Sequence, residues 1–423
     1  MEQLIHFVWK HKIYPISGLK TTKGETIEVI DPGLQNTHAG PDFFNAKLKI
    51  GGVLWVGNVE VHERSSMWYA HGHHQDRAYS NVILHVVGEA DAEIVRYDTN
   101  ETIPQLVLPC PDEVKRKYVL LKRTDAYPAC YAILKTLPKL IVHSWLSALQ
   151  VERLEQKTGL AVDRVKLCEG DWGHAFFITL ARNYGFGLNG DTFEAWARRI
   201  NLSALAKHRD NLLQIEAVFF GMAGLLEEQQ GDTYYLSLRQ EYQYLKHKFD
   251  FKKPIQQELW KLLRIRPQAF PHVKIAQLAY LYHEKEGLFS QVMHAGDIGQ
   301  LKSLLQTNTS AYWKNHYLFG KETEINDKIL SDGSLSLLII NTIVPFMFTY
   351  GRHKGDEMMC DHAFGILEQL KPENNFIVRQ WDKFGIHAEN AADSQALIQL
   401  RKEYCDKRDC LRCRFGFEYL KVK

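Results

Sequence analysis

The stretch Gly40-Pro41-Asp42-Phe43-Phe44-Asn45-Ala46-Lys47-Leu48-Lys49-Ile50-Gly51-Gly52-Val53-Leu54-Trp55-Val56-Gly57-Asn58-Val59-Glu60-Val61-His62 decides how the first part of this chain is read. Apolar and polar residues alternate towards Gly51-Gly52, as expected of strands joined by a tight turn. Side chains two apart on a strand share a face, so Glu60 and His62 project together while Val59 and Val61 point the other way. Whether Asp42 joins them depends on the turn. A two-residue loop at Gly51-Gly52 sets Asp42 opposite Val61, whereas a three-residue loop through Val53 sets it opposite His62, and this second register is the one expected. A bulge near Phe43-Phe44 would serve as well.

Outward from this hairpin, period-two patterning covers residues 1 to about 110, with strands expected at Thr26–Ile30, Phe44–Ile50, Leu54–His62, Val82–Val87 and Ala92–Tyr97. Asp31-Pro32-Gly33, Gly51-Gly52 and Gly88 separate them. From about 111 onward the spacing becomes helical, as in Leu137–Lys157, Ala175–Tyr184, Asn211–Glu228, Lys274–His283 and Ala391–Tyr404. The fold class is therefore α+β or α/β. A mixed β-sheet domain at 1–110 is followed by a larger, mostly α-helical region at 111–423, with the two expected to pack together. A chain of 423 residues can fill roughly two such cores. With 52 Lys and Arg against 50 Asp and Glu, no global basic field draws the chain to nucleic acid or anionic lipid, so such contacts require local patches.

Histidine is unevenly spread, with eight of the 19 lying in residues 1–110. His71-Gly72-His73-His74-Gln75-Asp76 follows soon after His62, and His85 lies on a later strand. Imidazole prefers Zn²⁺, Mn²⁺ or Fe²⁺, so His71, His73 and Asp76 are candidates for a separate transition-metal site, for the first site, or for substrate contacts.

Pro41-Asp42 on one strand and Glu60-Val61-His62 on the next resemble the PD-(D/E)xK nuclease superfamily, whose core hairpin carries Pro-Asp and then Glu-x-Lys. The resemblance implies a restriction-endonuclease-like sheet, Asp42 and Glu60 as ligands of Mg²⁺ or Mn²⁺, and hydrolysis of DNA or RNA. His62 stands where that superfamily has lysine. It titrates near neutrality and is expected to orient or deprotonate water, though it cannot mimic a permanent ammonium. Asn58, His71 and His73 are the expected substrate contacts. Over its full length the chain also resembles an uncharacterised bacterial family known only as a domain of unknown function. That resemblance rests on Gly57–His62, Asn81–Val87, Ser394–Leu400 and Tyr404–Cys413, and implies no activity. Two other readings compete with the nuclease: a binding or scaffold protein retaining a nuclease-like sheet, and a histidine-ligated metallohydrolase of small molecules.

Cys405-x4-Cys410-x2-Cys413 places three thiols where they can converge on Zn²⁺ or an iron–sulfur cluster. A fourth partner is needed, and Cys110, Cys130, Cys168 and Cys360 are all open. From Arg401 to Lys423 there are eight basic residues against four acids, with Phe415, Phe417 and Tyr419 available to stack on bases. Seven irregularly spaced cysteines and an N-terminus unlike an export signal suit a reducing cytoplasm. Gly333–Gly351 is uncharged, but with Asn341, Pro345 and several hydroxyls it reads as a buried helix pair broken near Pro345 and not as a membrane span. Oligomeric state is not legible.

Overall fold

The computed structural model describes residues 1–421. The protein is α+β and divides into two units, though not by a single cut. Residues 1–145, 381–386 and those from 400 onward form one unit, and residues 146–380 and 387–399 the other. This differs from a boundary at 110, because the first two helices after the sheet, the start of the third, and the C-terminal cysteine segment belong to the sheet unit.

That unit opens with α1 (Glu2–Lys10), whose buried face is Leu4, Ile5, Phe7, Val8 and Trp9. Its strands are β1 (Ile27–Asp31), β2 (Leu34–Gln35), β3 (Phe43–Ile50), β4 (Val53–Arg64), β5 (Val82–Glu89) and β6 (Gln105–Val107). They form one six-stranded sheet in the order β1-β3-β4-β5-β6, with β2 also paired to β3. The β1/β3 and β3/β4 pairs are antiparallel, whereas β4/β5 and β5/β6 are parallel. The short helix α2 (Met67–Ala70) and two 3₁₀ turns at His73–Gln75 and Arg77–Tyr79 make the crossover from β4 to β5. Ala92–Tyr97 is not a strand. Ile103 N–H bonds Ile94 and Arg96 N–H bonds Glu101, so the segment folds back on itself and Gln105–Val107 takes the sheet edge instead.

The expected hairpin register is corrected by the turn. Gly51 and Gly52 both have positive φ (59° and 85°), which a two-residue type I′ turn requires, and Ile50 faces Val53. A three-residue loop does not form. The register then slips between Ala46↔Gly57 and Phe43↔Val59. The extra residue is accommodated at Asn45, whose φ of 55° is a conformation asparagine tolerates better than most. Continuing this register sets Asp42 opposite Glu60, two residues short of the expected His62.

After the sheet come α3 (Asp112–Arg123), α4 (Tyr131–Leu134) and α5 (Lys139–Leu167). The second unit is helical, with a core built from side chains such as Phe176, Trp196, Phe219, Ile275, Leu338 and Phe346. Asp332–Lys354 is long and apolar enough to cross a membrane, but most of its most apolar stretch is buried. It is not a broken pair. A π turn at Ile339–Ile343 carries the helix onward, and Pro345 sits in the first turn of the following α segment, where a missing N–H costs little.

Candidate functional site

The bulge in β3 and the β4 pleat bring Asp42, Glu60 and His62 to one face of the sheet. Asp42 N–H donates to Glu60 Oε2 at 3.1 Å, and Val61 N–H donates to Asp42 Oδ2 at 3.0 Å. The two carboxyl side chains thus cross over the same pair of strands. His85 sits beside Glu60 on the parallel neighbour β5, and its Nε2 lies 2.8 Å from His62 Nδ1.

The crossover covers this face because both its ends are tied down. Asp91 Oδ1 accepts from Ser66 N–H at 2.8 Å and Oδ2 from the Ser66 hydroxyl at 2.7 Å, while the Ser65 hydroxyl accepts from Ala92 N–H at 2.9 Å. Tyr69 reaches the Glu93 carbonyl at 2.8 Å. Trp68, fully buried, packs with Tyr79, Val82, Ile94 and Ile103 beneath the crossover. His73 stacks on Tyr79 with ring centroids 3.8 Å apart and meets Trp68 edge-on. These contacts fix where His71 and His73 stand.

Three imidazoles, His62, His71 and His73, each offer a nitrogen within 4.8 Å of the others. His62 Nε2 lies 3.1 Å from His71 Nδ1, and Glu60 Oε1 lies 3.5 Å from His62 Nε2 and 3.2 Å from His73 Nε2. Two ligand bonds of about 2.1 Å at a tetrahedral angle hold their donor atoms about 3.4 Å apart. The His62–His71, Glu60–His62 and Glu60–His73 edges match that separation, while only the three imidazole nitrogens all lie within 4.8 Å of one another. His73 Nε2 is buried without a hydrogen-bond partner although Glu60 Oε1 lies 3.2 Å away. Two lone pairs aimed at a common point look like this.

Charge agrees with the geometry. Burial, and then the Asp42 carboxylate, push Glu60 up to about 9. Burial likewise raises Asp42 to about 6, opposed by the Val61 N–H bond and the imidazoles. His62 is driven down to about 2 by burial and then by the surrounding imidazoles, and burial lowers His73 as well. His62 and His73 are therefore held neutral, as ligands must be, and Glu60 holds a proton that a cation would displace. In the tautomer in which His85 Nε2 accepts from His62 Nδ1–H, the Nε2 lone pair of His62 faces the cluster.

Asp42, His71 and His73 are thus brought together with Glu60 and His62, in one cluster where the sequence left two sites open. Asp76 is not part of it: its carboxylate caps the 3₁₀ turn by accepting from Ala78 N–H at 2.8 Å. Asn58 is engaged at the bulge, where its Oδ1 accepts from Asn45 N–H at 3.4 Å. His6 was missed, because the sequence showed it only as a break in an apolar run. It stands on α1 with Nε2 3.5 Å from Asp42 Oδ2. Tyr79 and Trp68 were also missed, and only the fold reveals their place around His73.

The C-terminal basic segment is not a free cationic stripe. Arg408 donates to the Leu121 and Thr124 carbonyls, Lys407 pairs with Glu403, Arg412 with Asp409, and Arg414 and Lys421 with Glu418. Phe415 is fully buried and Phe417 packs on Phe7 and His11, so neither ring is presented to bases. Lys423 lies outside the described residues.

Fold and cluster together define an α+β protein with a histidine and carboxylate constellation at the sheet's parallel crossover. The chain belongs to the family described as Protein of unknown function (DUF2851), which matches residues 2–376. No curated protein and no solved structure matches it.

Proposed function

We propose that this protein is a metal-dependent hydrolase of phosphodiesters in DNA or RNA, with Glu60, His62, His71 and His73 as ligands of one divalent cation and Asp42 beside them. The observation that carries the cation site is the set of donor separations between 3.1 and 3.5 Å around Glu60 Oε1 and His62 Nε2. A donor set this rich in imidazole favours Mn²⁺, Zn²⁺ or Fe²⁺ over Mg²⁺. Bound there, the cation would lower the pKa of a water and neutralise charge developing on the phosphoryl oxygens.

The chain's own residues divide the remaining tasks. Asp42, about a quarter exposed and normally protonated only below about 6, is placed to accept a proton at Oδ2, with His6 close enough to steady the charge. His85 fixes the His62 ring, and Tyr79 and Trp68 hold His73. His62 is assigned here as a ligand and not as the water-activating base, since its Nε2 faces Glu60 and its side chain is almost fully buried. The phosphodiester class is supported by the acid pair at the open end of the hairpin. Seven unpaired cysteines support a reducing, cytoplasmic setting.

The imidazole-rich donor set also favours a second reading, a metallohydrolase of small molecules. One experiment separates these. Purified protein, Asp42→Asn and Glu60→Gln are assayed with Mn²⁺, Zn²⁺ and Mg²⁺ against single- and double-stranded DNA and RNA and against chromogenic phosphodiester and ester substrates. Cleavage of nucleic acid abolished by both substitutions supports the proposal. Turnover of small esters alone favours the second reading. A metal-loaded protein that turns over neither class leaves a binding or scaffold role.

A further inference from the structure

Four of the seven cysteines, drawn from distant parts of the chain, gather within the sheet unit. Cys130 immediately precedes α4, Cys405 ends a π turn (Leu400–Cys405), and Cys413 precedes the last helix (Arg414–Leu420), with Cys410 between. All are unbridged. Tyr127, three residues before Cys130, donates to Asp406 next to Cys405, and Cys413 N–H bonds the Cys410 carbonyl, so the backbone draws the four cysteines into one neighbourhood, where charge on Cys413 and Cys410 bears on Cys130. The three thiols at the end of the chain were legible in sequence, but the choice among four possible partners was not. The fold makes it.

The segment carrying them is shaped for this gathering. Arg408 adopts a φ of 54°, and its N–H bonds the Cys405 carbonyl at 3.1 Å while Asp409 N–H bonds the Tyr404 carbonyl at 2.8 Å. The Arg408 guanidinium then spans to the Leu121 and Thr124 carbonyls at 3.1 and 2.7 Å, and Tyr127 donates to Asp406 at 3.0 Å. These bonds join the cysteine loop to the segment that leads into Cys130. A Cβ at Gly416 would fall 2.0 Å from the Cys410 carbonyl oxygen, so the loop closes onto the last helix only because that residue is glycine. Burial pushes the Cys413 thiol up to about 12, partly offset by the N–H groups of Gly416 and Phe415, which favour the thiolate that a metal would require. Lys122 and Arg408 stand beside Cys410 and offset negative charge there.

We propose that Cys130, Cys405, Cys410 and Cys413 are the ligands of a thiolate-bound metal centre that fastens the C-terminal segment to the α3–α4 region. Thiolates select Zn²⁺ or an iron–sulfur cluster. Among the described residues no three of these sulfurs lie within 4.8 Å of one another, unlike the histidine nitrogens. This centre shares no residue with the site of the proposed hydrolysis and stands or falls separately.

The test is metal and sulfide analysis of the full chain purified without oxygen. Iron with acid-labile sulfide and a visible charge-transfer absorption, or zinc that persists in a His71→Ala/His73→Ala variant whose histidine cluster is disabled, supports the centre and tells the two apart. Cys130→Ser must lower that metal content several-fold, whereas Cys168→Ser must not. Should Cys130→Ser not fold, thiol titration of the native protein gives a second readout: four additional thiols become reactive on treatment with a strong chelator, and the C-terminal segment becomes sensitive to protease. A chain free of both metals, undiminished metal in folded Cys130→Ser, or no gain of thiols on chelation overturns the proposal.

Discussion

Replacing Glu60 by glutamine interrogates the histidine and carboxylate cluster through stability, with no substrate needed. In the metal-free protein Glu60 is raised from 4.5 to about 9 because it is buried against Asp42. A carboxyl whose folded pKa is raised contributes stability that is whole below its unfolded value and is lost as pH climbs towards the folded one. Between pH 5 and pH 8 that loss is three pH units at about 1.4 kcal/mol each, roughly 4 kcal/mol. For a unit of this size 1 kcal/mol moves the melting temperature by about 2–4 °C, so chelated wild type should melt roughly 10 °C lower at pH 8 than at pH 5 on this account alone. Glu60→Gln should lose most of that slope. His62 works in the other direction, since a depressed imidazole costs stability as pH falls below 6.5, but it is present in both proteins and cancels in the difference. Adding Mn²⁺ or Zn²⁺ at pH 8 should restore wild type by replacing the proton on Glu60, and should do little for the variant. The assay is thermal melting of chelated and metal-loaded protein across pH 5–8. Parallel profiles for the two chelated proteins, or equal stabilisation of both by metal, would refute the assignment of Glu60 as a buried ligand.

Three further outcomes follow from other parts of the molecule. His85→Ala removes the partner of His62 Nδ1 and should weaken metal binding by about 10–100-fold in a competition titration without removing a ligand; unchanged affinity would show that His62 needs no orientation. Glu216 is buried with Tyr234 and Ser310 donating to its two oxygens at 2.7 and 2.8 Å, and burial raises it to about 7. Its stabilising share is whole below 4.5 and lost as pH rises through 7, so Glu216→Gln should gain about 3 kcal/mol on wild type between pH 4.5 and pH 8 in urea unfolding, and a pH-independent difference would contradict this. A Cβ at Gly57 would meet Ile83 Cγ2 at 2.5 Å and the Asn81 carbonyl at 2.9 Å, wedging β4 from β5. Gly57→Ala should cost about 1–3 kcal/mol and loosen the cluster, measured as lower melting temperature together with weaker metal binding, whereas a silent substitution would mean the two strands part freely.

The linear chain determined a good deal on its own. Period-two and period-3.6 patterning separate the strands from the helices because each pattern follows local backbone geometry, and Glu60 and His62 were bound to share a face because the pleat repeats every two residues. Gly51-Gly52 marked a turn but not its type: the three-residue loop was expected, and the two positive φ values of a type I′ turn are seen only in the fold. What remained hidden were outcomes of pairing and packing. The bulge at Asn45 places Asp42 opposite Glu60 through one left-handed residue, which no hydrophobic pattern announces. His6 and His85 reach the cluster from α1 and β5, and the C-terminal cysteine loop is tied to the segment before Cys130 across more than half the chain. Such meetings depend on which segments bury their apolar faces against each other, a cooperative choice made over the entire fold and encoded in no local stretch of sequence.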